Sequence, residues 1–475
     1  MKIPTSYQET VESFCRAVHQ KENFDLLSHE LKVGEERLTF FYIDGFVKDA
    51  QLEKLMTTIL GQKSIGTAEN FLLSLPQIEA SRVSDFDALV HAFLCGQCVL
   101  FASSFGAEAL TLDLRTYPTR SIEEPESDRV MQGARDGFVE TLIFNTALIR
   151  RRIRDTRLRM RHFTIGGRAG TDVVLCYIEG VADPHTVSSV EKHIKRIRPR
   201  SLTLGFQSLS ESFMRRGWWN PFPKIRSSER PDTCAAQLIE GSVIVLCDTS
   251  PQAMILPTSA FDYLQQTDDF YFPPLTGTYL RLVRSIILLL SVFITPLWVL
   301  ALKNAAILPP SLSFLVPDEP GALPILLQLY LVEIAIDGLK IASLNTPSNL
   351  SGALSIIGGL ILGDFAVGVG WLCEDVILYM AFVAVANFAG QNHELGYALK
   401  FIRMISLGLT ALLGVFGFGL SVLLLLVLLF TNPTVSGRPY MYPLYPFSWR
   451  ALCRLLLRIP KDDFESPKSS HPGAK

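Results

Sequence analysis

Three ionisable residues, Glu333, Asp337 and Lys340, stand four and three positions apart inside the apolar stretch "LPILLQLYLVEIAIDGLKIASL". At about 100° per helical residue they fall on one narrow face. A fourth, Asp364, sits in "SIIGGLILGDFAVGVGW" (355–371) among five glycines. An acid at the centre of a lone membrane helix costs about 2.5–3.5 kcal/mol, so such residues face a bundle interior or water. Asp337 and Lys340 can neutralise each other locally, whereas Glu333 then needs another partner or water. Glycine makes departures from helix cheap, and Gly359 and Gly363 form a GxxxG pair that lets a second helix pack closely. Together these residues suit a cation path rather than bond-breaking chemistry. The alternative stays open that the glycines only pack helices and that Asp364 hydrates at the headgroups.

Catalytic signatures are missing. There is no glycine-rich nucleotide loop, no Walker phosphate loop, no HExxH and no GxSxG, and the eight histidines lack metal spacing. No enzyme activity, metal or cofactor is expected. The eight cysteines are dispersed in apolar surroundings, as reduced core thiols would be. Cys95 and Cys98 have a redox spacing but lie in "HAFLCGQCVLFASS", which reads as buried strand or helix.

The elements that must position the acids come from a lopsided chain. Its 475 residues carry a net charge of −2 and are 48% hydrophobic, yet the apolar excess is concentrated between residues 285 and 430. The expected fold is an α/β (or α+β) N-terminal cytosolic region followed by a polytopic α-helical membrane domain. Full spans are expected at 285–302, kinked by Pro296, and at 323–341, 374–390 and 405–430. The arginines of the tail (438, 450, 454, 458) and Lys461 place residues 431–475 in the cytosol. The first twenty residues lack a continuous apolar run, so the N-terminus is expected there too. The number of crossings is then even, which makes 349–371 a re-entrant or broken segment and puts Lys400 and Arg403 outside. Six short crossings are the alternative.

Residues 1–34 read as a helical extension and 35–275 as the α/β region, one domain or two, with any seam near 160–170. "RLTFFYIDGFV" (37–47) reads as a strand ending in an Asp44-Gly45 turn, and "GSVIVLCDTSPQAMILP" as a hairpin. Basic residues concentrate in "ALIRRRIRDTRLRMR" (147–161) and "KHIKRIRPR" (192–200). Without interleaved aromatics these do not suit nucleic acid; a solvated helix face, a subunit contact or anionic lipid fits better. The Glu229-Arg230-Pro231-Asp232 segment reads as a charged cluster fixing a loop against the next helix.

Ordered motifs from about residue 35 to 460, among them "RDGFVETLIFNTALIRRRIRD", "NPFPKIRSSERPDTCAAQLIEGSVIVLCDTSPQAMILP", "GTYLRLVRSI" and "LSIIGGLILGDFAVGVGW", resemble the A subunits of bacterial spore germination receptors. "RRGWWNPFPK" and "HELGYALKFIRM" look like a stage V sporulation branch of that family. The resemblance implies a spore inner-membrane protein acting in germination beside other membrane proteins of that machinery. It also implies self-assembly into a ring, pentameric by family likeness, around a path for monovalent cations. For this branch it implies an auxiliary or amplifying role near dipicolinate release; a non-conducting scaffold is the alternative. Receptor subunits usually carry a neutral polar residue where Asp364 stands.

Overall fold

A computed structural model describes residues 2–75, 79–115, 128, 130–166, 170–197, 205–214, 219–345, 359, 366–388, 392–435 and 437–458. The N-terminal half contains two five-stranded antiparallel sheets. The first is built from β1 (Leu26–Val33), β2 (Glu36–Ile43), β3 (Ala80–Val83), β4 (Cys98–Ala102) and β5 (Ala109–Leu112), in the order β1-β2-β4-β5-β3. The second comprises β6 (Leu158–Ile165), β7 (Thr171–Ile178), β8 (Arg226–Ser228), β9 (Val243–Cys247) and β10 (Ala253–Leu256), in the order β6-β7-β9-β10-β8. One topology therefore occurs twice in tandem. The repeat extends to local chemistry: β2 and β7 both end in an acid followed by a left-handed glycine, Asp44-Gly45 (φ +78°) and Glu179-Gly180 (φ +79°).

Both sheets are covered on both faces, which is why their central strands are continuous apolar runs. Along β4, Cys98, Leu100 and Ala102 enter one core, while Val99 and Phe101 enter the other. In β9, Ile244 and Leu246 face one core and Val243, Val245 and Cys247 the opposite one. Burial raises the Cys98 thiol far above its usual range, and Cys95 and Cys98 are not disulfide-bonded.

Two expected boundaries move. Residues 1–34 are no extension: the Tyr7–Ala17 helix inserts Phe14 among Phe41, Phe93 and Phe101, with ring centroids 4.9–5.3 Å apart, and β1 lies within the sheet. The seam is not at 160–170, which falls inside the β6–β7 hairpin. It lies between β5 and the Leu142–Arg152 helix.

Arginines of the basic run 147–161 join the two units. Arg150, 1% exposed, donates to Asp25 from Nε (2.5 Å) and Nη2 (3.0 Å). Arg159 bridges Glu22 at 2.6 Å and also Glu179. Met160 N–H donates to Asn23 Oδ1 at 2.7 Å. The solvated-face, subunit and lipid readings of this run are therefore corrected for Arg150 and Arg159, which act inside the chain.

The C-terminal half is helical. Two helices, Pro274–Lys303 and His393–Leu413, are long and apolar enough to cross a membrane, and Val415–Phe430 is a shorter apolar helix. The span expected at 405–430 is instead divided between the two arms of a helical hairpin, 405–413 ending the first and Val415–Phe430 forming the second, because Gly414 (φ +62°) reverses the chain. At Gly417 a Cβ would lie 1.9 Å from the Leu409 carbonyl oxygen, so the two helices meet backbone to backbone. Further helices are Ile325–Asn345, Glu374–Phe388 and Trp449–Leu456.

Directions follow from the contacts. Pro274–Lys303 leaves the second sheet unit, and Lys303 Nζ reaches the Leu412 carbonyl at 3.5 Å, so His393–Leu413 runs alongside it. Val415–Phe430 returns, and Asn220 Nδ2 donates to the Leu428 carbonyl at 2.8 Å. Ile325–Asn345 runs toward the sheets from the distal end, where Ala322 N–H donates to the Gly370 carbonyl at 2.9 Å. The segment expected to re-enter, 349–371, lies largely outside the described residues. Its flanks, Asn345 and Ala366, stand a helix length apart, about 30 Å, at opposite ends of the bundle.

The tail is also more than a charged extension. Val435 joins the core of the second sheet, Arg438 pairs with Asp183 at 2.6 Å, and Tyr440 is buried. Residues 459–475 lie outside the described residues.

Replacing Arg150 with Ala would leave Asp25 buried without its counter-ion, a cost of about 3–5 kcal/mol. The expected result is a large drop in the thermal unfolding midpoint of the purified chain, partly restored by adding Asp25→Asn.

Candidate functional site

The bundle buries polar residues and exposes apolar ones. On the first long helix Ser291 and Thr295 are 1% and 0% exposed; on His393–Leu413 a stripe of Lys400, Arg403, Ser406 and Thr410 is buried at helical spacing. Outward-facing residues include Leu289, Leu297, Leu412, Phe416 and Leu423. Ser406 and Ser421 hydroxyls meet at 2.8 Å across the hairpin.

Glu333 lies within this interior, 3% exposed. Its Oε1 accepts from Arg403 Nη2 at 2.7 Å and stands 3.5 Å from Lys400 Nζ. Arg403 is fully buried, and its Nη1 donates to the Ser291 carbonyl at 3.0 Å. Lys400 also pairs with Asp337. Four buried polar atoms of this interior have no hydrogen-bond partner among the described residues: Glu333 Oε2, Arg403 Nε, Thr295 Oγ1 and Thr410 Oγ1. Buried groups of this kind are normally satisfied by protein or ordered water.

The structure thus unites Glu333 and Asp337 but changes their partners. Asp337 pairs with Lys400 of another helix, and Glu333 finds Arg403. Lys400 and Arg403 are not outside the bundle: they are its counter-charges, with Arg403 against the middle of the first long helix. They were missed because their helix was read as beginning at residue 405. The usable signal was an i, i+3 pair of cations facing an i, i+4 pair of acids in a second apolar run.

Of the remaining candidates, Pro296 lies within the first long helix, which continues through it. Gly359 is exposed, and a Cβ there would meet nothing within 4 Å among the described residues. Gly363 and Asp364 lie outside the described residues.

The Glu229–Asp232 segment forms a joint. Arg230, fully buried, donates to Asp232 (2.9 and 3.1 Å) and to the Ala134 carbonyl (2.6 Å). Pro231 opens the Pro231–Ile239 helix, and Gln252 donates to Glu229 at 3.2 Å. Burial opposes ionisation of Asp232, but hydrogen bonds from Arg230 and Tyr271 outweigh it and hold the carboxyl below its usual range. Tyr271 Oη donates to Asp232 at 2.7 Å, just before the first long helix. Asp269 anchors that helix: it is fully buried and accepts from Arg281 (3.3 Å) and Arg284 (3.0 and 3.1 Å). Arg281 also donates to the Leu455 carbonyl at 2.7 Å.

Elsewhere, His19, Glu22 and Glu179 bring possible metal-ligand atoms together, but Arg159 already lies against both carboxylates.

Arg403→Met would take from buried Glu333 its nearer counter-ion and leave Lys400 at 3.5 Å, a cost of up to about 3–5 kcal/mol. Adding Glu333→Gln removes that charge and is expected to recover most of the thermal stability of the detergent-solubilised protein. Failure to recover would mean that Arg403 acts mainly on another group.

Comparison with known proteins agrees with the motif resemblance. A profile of the family described as "Bacillus/Clostridium GerA spore germination protein" matches residues 14–469. Stage V sporulation protein AF of Bacillus subtilis (strain 168) is 34% identical over 97% of this chain and 94% of its own length. Spore germination protein A1 of the same organism is 26% identical, covering 93% and 91%. A crystal structure of the N-terminal domain of the A subunit of the Bacillus megaterium spore germinant receptor GerK3 aligns with a TM-score of 0.39 and 20% identity, covering 54% of this chain and 96% of that one. The chain belongs to the GerA family of spore germination proteins.

Proposed function

We propose that the chain is a non-catalytic, multi-pass subunit of the germination apparatus in the spore inner membrane. Copies assemble into a ring, a pentamer by family likeness, that passes monovalent cations. The observation that carries this reading is the inside-out helical half: apolar residues face outward as lipid requires, while a polar stripe with four ionised residues fills the interior. On this reading six passes cross the bilayer, and both chain ends lie on the core side with the sheets. The Glu333–Arg403 and Asp337–Lys400 pairs represent a closed state. A fixed guanidinium at mid-depth repels cations, so conduction requires these pairs to part. Asp364 remains a further acid of the path.

Neutralisation of both acids within one chain favours a second reading, a non-conducting inner-membrane scaffold that docks germination receptors or the dipicolinate channel. Potassium efflux from vesicles holding the purified protein separates the two. The channel reading expects efflux that rises when the pair is neutralised together by Glu333→Gln and Arg403→Gln. It also expects altered cation release from spores carrying Asp364→Ala and Glu333→Ala at normal protein level. Persistent absence of efflux, with and without a co-purifying membrane partner, leaves the scaffold.

A further inference from the structure

Beyond the last long helix the chain folds back over the second sheet. There Thr434 and Val435 close one side of a cavity of about 480 Å³. Three basic side chains line it, His193 and Arg196 from the Pro184–Arg196 helix and Lys224 from a separate segment, and no described lining residue is acidic. His193 and Arg196 are three apart and so share a helix face. The His193 ring is fixed by Nδ1–H donating to the Ser189 carbonyl at 2.8 Å and by the Phe213 ring, 5.7 Å away. Phe213 and Val435 supply apolar wall. Lys224 is 6% exposed, and burial pushes its ammonium below the usual range.

The cavity's position is as informative as its charge. Asn220, four residues before Lys224, is tied to the Leu428 carbonyl, so the Lys224 segment abuts the end of the last apolar helix. Trp219 beside it is 58% exposed, as suits an indole at headgroup level. Basic pockets at the cytoplasmic ends of membrane helices bind anionic headgroups.

We propose that this cavity takes the phosphate of an anionic phospholipid of the core-facing leaflet, held by Arg196, Lys224 and His193, with Phe213 and Val435 against the glycerol end. The inference rests on the helices crossing the membrane.

The test is thermal unfolding of the full chain in neutral detergent with added phosphatidylglycerol, phosphatidylcholine or inorganic phosphate. Phosphatidylglycerol is expected to raise the midpoint and phosphatidylcholine to leave it unchanged. Arg196 is exposed, so Arg196→Gln spares the core and is expected to weaken the effect roughly fivefold; Lys224→Gln is expected to weaken it further. An equal shift from inorganic phosphate reassigns the cavity to a free anion and overturns the lipid. Equal shifts from both lipids, or an unchanged response in Arg196→Gln, overturn the site. Carbonate extraction of membranes holding the same chain separates the two layers of inference. A chain that stays in the membrane without phosphatidylglycerol preference sinks this inference alone, whereas a released chain sinks the membrane reading beneath it.

Discussion

The helical half depends on the ion pair between Glu333 and Arg403. Each charge alone would be prohibitive among apolar helices, and together they fix how three helices meet: Glu333 on one, Arg403 on a second, and the Ser291 carbonyl of a third. Such pairs are poor sources of net stability compared with well-packed hydrophobic residues. Their retention therefore points to specificity or to a function that needs charge at that depth.

A second set of charges ties this bundle to the sheets. Arg230 holds Asp232, Asp232 accepts from Tyr271, and two residues before Tyr271 the buried Asp269 grips Arg281 and Arg284 of the first long helix. Arg281 also reaches the tail at Leu455. The sheets, the first helix and the tail at Leu455 thus converge on one short segment, residues 269–271. The bundle cannot tilt there without disturbing hydrogen bonds to a buried carboxylate.

Much of this was legible in the sequence, for physical reasons. Strands covered on both faces betray themselves as apolar runs, so β2, closed by its Asp44-Gly45 turn, and the β9–β10 hairpin were readable. The apolar helices were readable by composition, and the Glu229–Asp232 segment by its proline and paired charges. Three things were not. Hairpin reversal at Gly414 was hidden because Gly414 is one of four glycines (408, 414, 417 and 419) in a long apolar run, and its residue type does not mark it as the one that turns. Arg150 and Arg159 looked like surface charge because their partners, Asp25 and Glu22, lie more than a hundred residues away. Arg403 was discounted by a topology inferred from loop charges, which cannot tell a loop cation from a buried counter-ion.

The tandem sheets carry a mechanical consequence. Every hydrogen bond and ion pair described above between the sheets and the helical half starts from the second copy or the linker after it, while the first copy is joined to the second around Arg150 and Asp25. That arrangement is a cantilever with a single buried hinge pin. Along these bonds, a push on the distal copy reaches the bundle by way of the pin, so its rigidity, more than the distal copy's own firmness, sets how much of the push is transmitted.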